Sequence, residues 1–203
     1  MKIIAVGRNY SGHIKELQNK KSEEPVIFLK PDTALLKKNA PFYHPSFSQN
    51  IHHEVELIIR ICKEGKNIQE KFAHKYYDAI GVGIDFTARD LQQKAKEQGL
   101  PWELSKAFNG SAPISEFIPL EELDDIRNLN FSLFVNGEKK QVGNSNEMIF
   151  QFDETISYIS KFITLKKGDI IFTGTPEGVS KINIGDVLEA YLEDKKLLTV
   201  EIK

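Results

Sequence analysis

The sequence predicts an α+β, β-rich fold in a single domain. Short apolar runs recur along its 203 residues between Gly, Pro and Asn turn signals, a pattern of many strands and few helices. One Asn-Gly pair lies between two strand-like runs, the strongest short-range hairpin signal. A chain of this length buries one substantial core without dividing into two full-sized domains.

Residues 3–6 and 26–29 read as the first strands. Residues 51–61 alternate for much of their length, with Ile51, Val55, Leu57, Ile59 and Ile61 on one side and His52, Glu54, Glu56, Ile58 and Arg60 on the other. Residues 79–84 are nearly all apolar and predict a buried strand ending at Asp85. Thr87 with Asp90 three residues on has the form of a capping box. A helix is therefore expected from about residue 88 until Gly99 and Pro101 stop it, with Arg89 and Gln92 on one face. Residues 131–135 and 138–142 flank Asn136-Gly137 as a hairpin. Asp153 is expected to cap a helix carrying Ile156, Ile159 and Ile163, and Gly168-Asp169 turns into a strand over residues 170–173. Strands over residues 187–192 and 197–202 close the chain.

Composition narrows the function before any motif does. Lys and Arg total 27 against 29 Asp and Glu, a net charge of -2, so there is no electrostatic footprint for nucleic acid. Cys62 is the single cysteine; it excludes an intrachain disulfide and fits a reducing, cytoplasmic setting. No apolar run reaches transmembrane length, and residues 2–7 enter a strand directly, too short for a signal segment. GxGxxG, P-loop and GxSxG patterns are absent, which removes the sequence support for dinucleotide binding, P-loop phosphate binding and a serine elbow.

The remaining chemistry lies in acids, one histidine and one lysine. Glu54 and Glu56 are two apart on a strand and point to the same face. If that face is buried, one carboxylate must take a proton or a cation must sit between them; if it faces water, they are an ordinary polar outer face. Asp85, at the end of a buried strand, lies where ligand sites are commonly built, although it also suits the start of a turn. Three oxygen ligands favour Mg²⁺ or Mn²⁺, whereas zinc usually recruits histidine or cysteine. His13 and Glu16, three apart, form either a general-base dyad or a surface pair. Lys106, in the aromatic-rich stretch 101–108, is either a solvated lysine or a stabiliser of enolate and carboxylate charge. Thr175 sits in a Gly-Thr-Pro loop, a structural turn whose amides are also able to hold a carboxylate. His52 and His53 carry no assigned metal role.

These residues stand in motifs that follow one another along nearly the whole chain: GRNYSGHIKEL at 7–17, PVIFLKP at 25–31, HHEVEL at 52–57 and DFTARDLQ at 85–92. GLPWELSKAF at 99–108, MIF at 148–150 and GDIIFTGTPEGV at 168–179 complete them. The set resembles the fumarylacetoacetate hydrolase family, in particular its short acylpyruvase branch. The resemblance implies a mixed β-sandwich roll, assembled as a homodimer, with residues 1–203 forming one catalytic domain and a lid near residues 7–20. It implies that Glu54, Glu56 and Asp85 hold Mg²⁺, with Mn²⁺ as the alternative, that His13 and Glu16 activate water, and that Lys106 is the active-site lysine. Arg89, Gln92 and Thr175 fall in segments that match the substrate pocket. The substrate class implied is a small 2-keto acid, with hydrolytic carbon–carbon cleavage of acylpyruvates first. Oxaloacetate decarboxylation and enol-acid isomerisation or tautomerisation are the alternatives, and a metal-organised carboxylate-binding module is the non-enzymatic one. Two departures from the family pattern are visible: the large N-terminal domain of full fumarylacetoacetases is missing, and Ser180 stands where glycine is frequent.

Overall fold

The computed structural model describes residues 1–17 and 21–203. Its centre is a six-stranded mixed sheet in the order Val26–Lys30, Ile3–Gly7, Ile170–Phe172, Val55–Ile61, Tyr77–Ile84, Ile118–Pro119. Ile3–Gly7 and Ile170–Phe172 pair in parallel, and the other neighbours are antiparallel. A four-stranded antiparallel sheet, Glu138–Asn144, Asn130–Val135, Val187–Leu192 and Lys195–Glu201, carries the Asn136-Gly137 hairpin. Both turn residues have positive φ, 52° and 80°, the backbone that a tight hairpin turn demands. The result is the β-rich α+β architecture that the alternating runs predict.

Pleat parity explains the two apolar clusters. Leu57, Ile59 and Ile61 share one core with Leu133, Leu188 and Val200 of the four-stranded sheet. Ile58, on the opposite pleat, packs with Ile3, Ala5, Phe28, Ile170 and Phe172. Both faces of the central strand are therefore covered: the two sides expected for residues 55–61 are present, and the side of Glu56 and Ile58 is the buried one of its two alternatives. Gly83, opposite Glu56 in the register, has a packing role on this second face: a Cβ there would lie 2.6 Å from the Phe172 ring.

Three local expectations change. Residues 51–61 form two strands, Ile51–His53 in a small three-stranded sheet and Val55–Ile61 in the central one, with Glu54 at the break. Thr87 lies in the strand Thr87–Ala88, and the helix Arg89–Gln98 is capped at Ala88 without a side-chain hydrogen bond. Asp90 instead accepts from Ser48 Oγ at 2.7 Å and the Gln49 amide at 3.2 Å. Asp153 is inside the first turn of Phe152–Phe162, whose N-cap is Gln151, and Ile163 is already extended. Gly99 ends Arg89–Gln98 in the left-handed conformation, φ 65°, as a C-terminal glycine should. Among the described residues no helix is long and apolar enough to cross a membrane.

One buried amide ties three segments together. Asn9 donates to the Phe150 carbonyl at 3.0 Å and the Thr173 carbonyl at 2.7 Å, and accepts from the Phe150 amide at 2.7 Å. Asn9→Ala would leave buried backbone groups without partners, so it is expected to destabilise the fold by roughly 2–4 kcal/mol. Urea denaturation checks this: the midpoint should fall at an unchanged slope, and an unchanged midpoint would contradict the tie.

Candidate functional site

Two central strands bring the acids together at their ends. The register sets Val55 opposite Ile84 and Glu56 opposite Gly83, and the Asp85 amide donates to the Glu54 carbonyl at 2.8 Å. One ligand atom from each of Glu54, Glu56 and Asp85 lies within 4.8 Å of the others. The residues are 4%, 2% and 0% exposed, so the polar outer-face alternative falls.

Three cations compensate this buried charge. Lys106 ends the short helix Glu103–Lys106 and donates to Glu54 Oε2 and Asp85 Oδ2, each at 2.7 Å, and to Thr87 Oγ1 at 2.6 Å. Arg89 starts its helix and donates to Glu54 Oε1 at 2.6 Å and Gln92 Oε1 at 2.7 Å. Lys30 ends the strand Val26–Lys30, fully buried, 2.7 Å from Asp85 Oδ1. It is held there by the Lys106 carbonyl and by the carbonyl and hydroxyl of Ser111. The ring beside Lys106 is Phe28, at 5.2 Å, rather than one from the aromatic stretch around the lysine itself.

The two glutamates respond differently. Burial opposes the charge of Glu54, but Lys106 and Arg89 outweigh it and hold the carboxyl ionised far below its ordinary range. Glu56 is pushed well above 4.5 by burial and then by the charges of Asp85 and Glu54, against a hydrogen bond from the Gly174 amide. That amide lies 2.6 Å from Glu56 Oε2, so the Gly-Thr-Pro loop holds a carboxylate of the protein itself. Gly174 has φ 101°, and a Cβ there would lie 2.6 Å from Asn9 Cβ.

The donor set fits a hard divalent cation. It consists of oxygen alone, burial and the charges of Asp85 and Glu54 oppose ionisation of Glu56 in the absence of a cation, and each of the three acids brings one oxygen within 4.8 Å of the others. Such a set suits a metal that takes oxygen ligands and relieves the repulsion between the carboxylates. His53 binds Gln141 and Ser180 instead, at 2.9 and 2.7 Å.

His13 lies in the helix Ser11–Glu16, and its Nδ1 is 3.2 Å from Glu16 Oε2. Glu16 Oε1 accepts from the Gly178 amide at 3.0 Å, so the dyad is tied to the loop that follows Gly174. Burial lowers the His13 pKa below 6.5, with Glu54 and Glu16 opposing, which keeps the ring neutral at pH 7. His13, Arg89, Gln92, Lys106 and Thr175 line one cavity with the three acids, and Glu16 reaches it through His13. Thr175 Oγ1 accepts from Gln141 Nε2 at 2.9 Å. Sequence reasoning passed over Lys30, Arg8, Lys96 and Trp102 of this neighbourhood. For Lys30 a signal existed: a charge closing an apolar strand is buried at high cost unless it is paired.

A mixed β-roll with a buried three-carboxylate centre and an adjoining His-Glu pair defines a class of metal-competent sites for small anions. Residues 2–203 match the family model described as fumarylacetoacetate (FAA) hydrolase C-terminal, and the chain belongs to the fumarylacetoacetate hydrolase family. It is 43% identical over 201 residues to mouse mitochondrial oxaloacetate tautomerase FAHD1, covering 99% of this chain and 91% of that protein. To the mitochondrial oxaloacetate decarboxylase of Dictyostelium discoideum it is 46% identical, covering 93% and 87%. Its fold superimposes with TM-score 0.94, at 36% identity and 100% and 89% coverage, on fumarylpyruvate hydrolase from Pseudomonas aeruginosa in complex with Mn²⁺ and pyruvate.

Cation binding is expected to displace the proton of Glu56, so affinity should rise with pH until that carboxyl ionises unaided. Calorimetric titration with Mn²⁺ at mildly acidic pH, in two buffers of different ionisation heat, should give different heats; identical heats would contradict the displacement.

Proposed function

We propose that this chain is a divalent-metal-dependent enzyme acting on oxaloacetate, with keto–enol tautomerisation as its main reaction and decarboxylation as a second outcome at the same site. The observation that carries the proposal is the charge balance of the buried centre. With Glu56 ionised in the metal-bound site, three carboxylates stand against Lys30, Lys106 and Arg89, so the formal charges of the protein groups cancel there. A divalent cation then leaves two positive charges in a water-poor cavity, which a dianionic 2-keto acid neutralises. The oxaloacetate tautomerase and decarboxylase among the relatives support the same substrate. This order reverses the expectation from the sequence, where acylpyruvate hydrolysis stood first.

Held by Glu54, Glu56 and Asp85, Mg²⁺ or Mn²⁺ would supply Lewis acidity toward the 1-carboxylate and the 2-keto oxygen. Lys106 and Arg89 keep Glu54 ionised, and Lys106 adds positive charge beside the developing enolate. Gln92, fixed by Arg89, and Thr175, fixed by Gln141, give the substrate two oriented polar groups. His13 is neutral and engages Glu16 through Nδ1, which leaves Nε2 to move a proton to or from the substrate's C3. Glu16 stabilises the imidazolium formed in passing. Of the expected lid near residues 7–20, Gly7 to Asn9 are fixed by the sheet and by the Asn9 hydrogen bonds, so residues 11–17 serve as the lid in this proposal; residues 18–20 lie outside the described residues. Exposed Tyr43, Phe47 and Leu104 offer apolar surface for the second copy of a homodimer.

Hydrolysis of an acylpyruvate is the second reading, because the same dyad suits water activation and the Pseudomonas relative is a fumarylpyruvate hydrolase. A pure binding module is disfavoured, since binding has little use for a neutral His-Glu pair. The test compares enol–keto conversion and decarboxylation of oxaloacetate with acetylpyruvate hydrolysis, in the wild type and in His13→Ala. His13→Ala should slow tautomerisation on the order of 10²–10⁴-fold and decarboxylation less, with EDTA suppressing both in the wild type. Faster turnover of acetylpyruvate than of oxaloacetate, or full tautomerisation by His13→Ala, would overturn the reading.

A further inference from the structure

Arg8 adopts a backbone conformation that its side chain does not favour. Its φ is 60°, uncommon for a residue other than glycine, and the surroundings impose it. The preceding strand is locked in register on both sides, and the next residue, Asn9, is clamped by its three hydrogen bonds. Strain of this kind persists where the structure over-determines it, commonly beside a ligand.

The conformation carries Arg8 into the lining of the cavity, 5.6 Å over the ring of Trp102. Among the described residues its buried Nε has no hydrogen-bond partner and no ion pair uses Arg8. Lys96 lies 5.9 Å over the same ring. Burial and then the charges of Arg89 and Arg8 oppose the charge of Lys96, so this end of the cavity is electropositive. Contacts link it to the acids: Lys106 lies 5.2 Å over Phe28, and the Phe28 and Trp102 ring centroids are 6.1 Å apart. The basic shelf is thus two aromatic rings away from the acid centre, along one wall of the cavity.

We infer that Arg8, with Lys96 beside it on Trp102, receives the distal carboxylate of a dicarboxylic 2-keto acid and sets the preference of the site for a second negative charge. The guanidinium offers a planar fork matched to a carboxylate, and it lines the same cavity as the acid centre. The substrate class rests on the function proposed above.

Malate and 2-hydroxybutyrate test the subsite without turnover. Both present a 1-carboxylate and a 2-oxygen, and they differ in a distal carboxylate against a methyl group. Binding to the Mg²⁺-loaded chain is read by calorimetry and by the emission of Trp102, the single tryptophan. The wild type should bind malate on the order of 10-fold more tightly or better, with a change in Trp102 emission that 2-hydroxybutyrate does not cause. Arg8→Gln should remove most of that preference while the affinity for 2-hydroxybutyrate stays within about 2-fold. Lys96→Gln, the second variant, should lower the preference in the same direction, and Arg8→Lys should retain part of it. Equal affinities in the wild type, or an undiminished malate preference in both folded Gln variants, would overturn the inference. Malate preference through Arg8 in a chain that leaves oxaloacetate unchanged would keep the subsite and remove the proposed reaction. Turnover of oxaloacetate with no Arg8 effect on binding would do the reverse.

Discussion

Burying three carboxylates within 4.8 Å of one another is the constraint on which the rest of the structure depends. Their mutual repulsion and lost hydration are tolerable only with compensating charge at hydrogen-bond distance. That charge comes from three separate elements: Lys30 at the end of a strand, Arg89 at the start of one helix and Lys106 at the end of another. Removing one member of such a buried pair typically costs about 3–5 kcal/mol, so the centre also fastens those elements to the central sheet. The close packing of Gly83 against Phe172 and of Gly174 against Asn9 belongs to the same requirement. At both positions a side chain would clash, at Gly83 with the Phe172 ring and at Gly174 with Asn9 Cβ.

The balance of charge also shapes the chemistry. Glu54 is held ionised by its cations, whereas Glu56 has no cation of its own at hydrogen-bond distance among the described residues, and burial with the charges of Asp85 and Glu54 pushes its pKa up. One acid of the three therefore responds to a metal, and the site can exist in two charge states. The neutral His13 next to it has Glu16 as its one acidic hydrogen-bond partner, the arrangement a proton-transfer group needs near neutral pH. An apolar wall of Phe28 and Trp102 leads from this pair of functions to Arg8, which connects acid centre, proton-transfer group and basic shelf within one cavity.

Much of this was legible in the residues. Asn136-Gly137 marks a hairpin because few other dipeptides accept two positive φ angles, and the apolar run before Asp85 marks a buried strand. The acids were legible as a pair, since parity alone puts Glu54 and Glu56 on one face. Their burial was not, because it depends on Ile58 finding a second core under the sheet, a tertiary event that no local pattern encodes. Thr87 and Asp90 had the spacing of a cap, yet Lys106 and Ser48 claimed their oxygens. Lys30 and Arg8 drew no reading of their own from the sequence: the burial of Lys30 is settled by its contacts with Asp85 and Ser111, and the left-handed backbone of Arg8 by the long-range bonds of Asn9.

The central claim is that Glu54, Glu56 and Asp85 form one divalent-cation site. Electron paramagnetic resonance of Mn²⁺, titrated against the wild type and Asp85→Asn, tests it most directly, since free Mn²⁺ in water gives a sharp signal that broadens and is lost on binding. The account predicts one tightly held Mn²⁺ per chain in the wild type, displaced by excess Mg²⁺, and weakened binding in a folded Asp85→Asn. Mn²⁺ that stays free in the wild type, or that binds Asp85→Asn equally well, would contradict it.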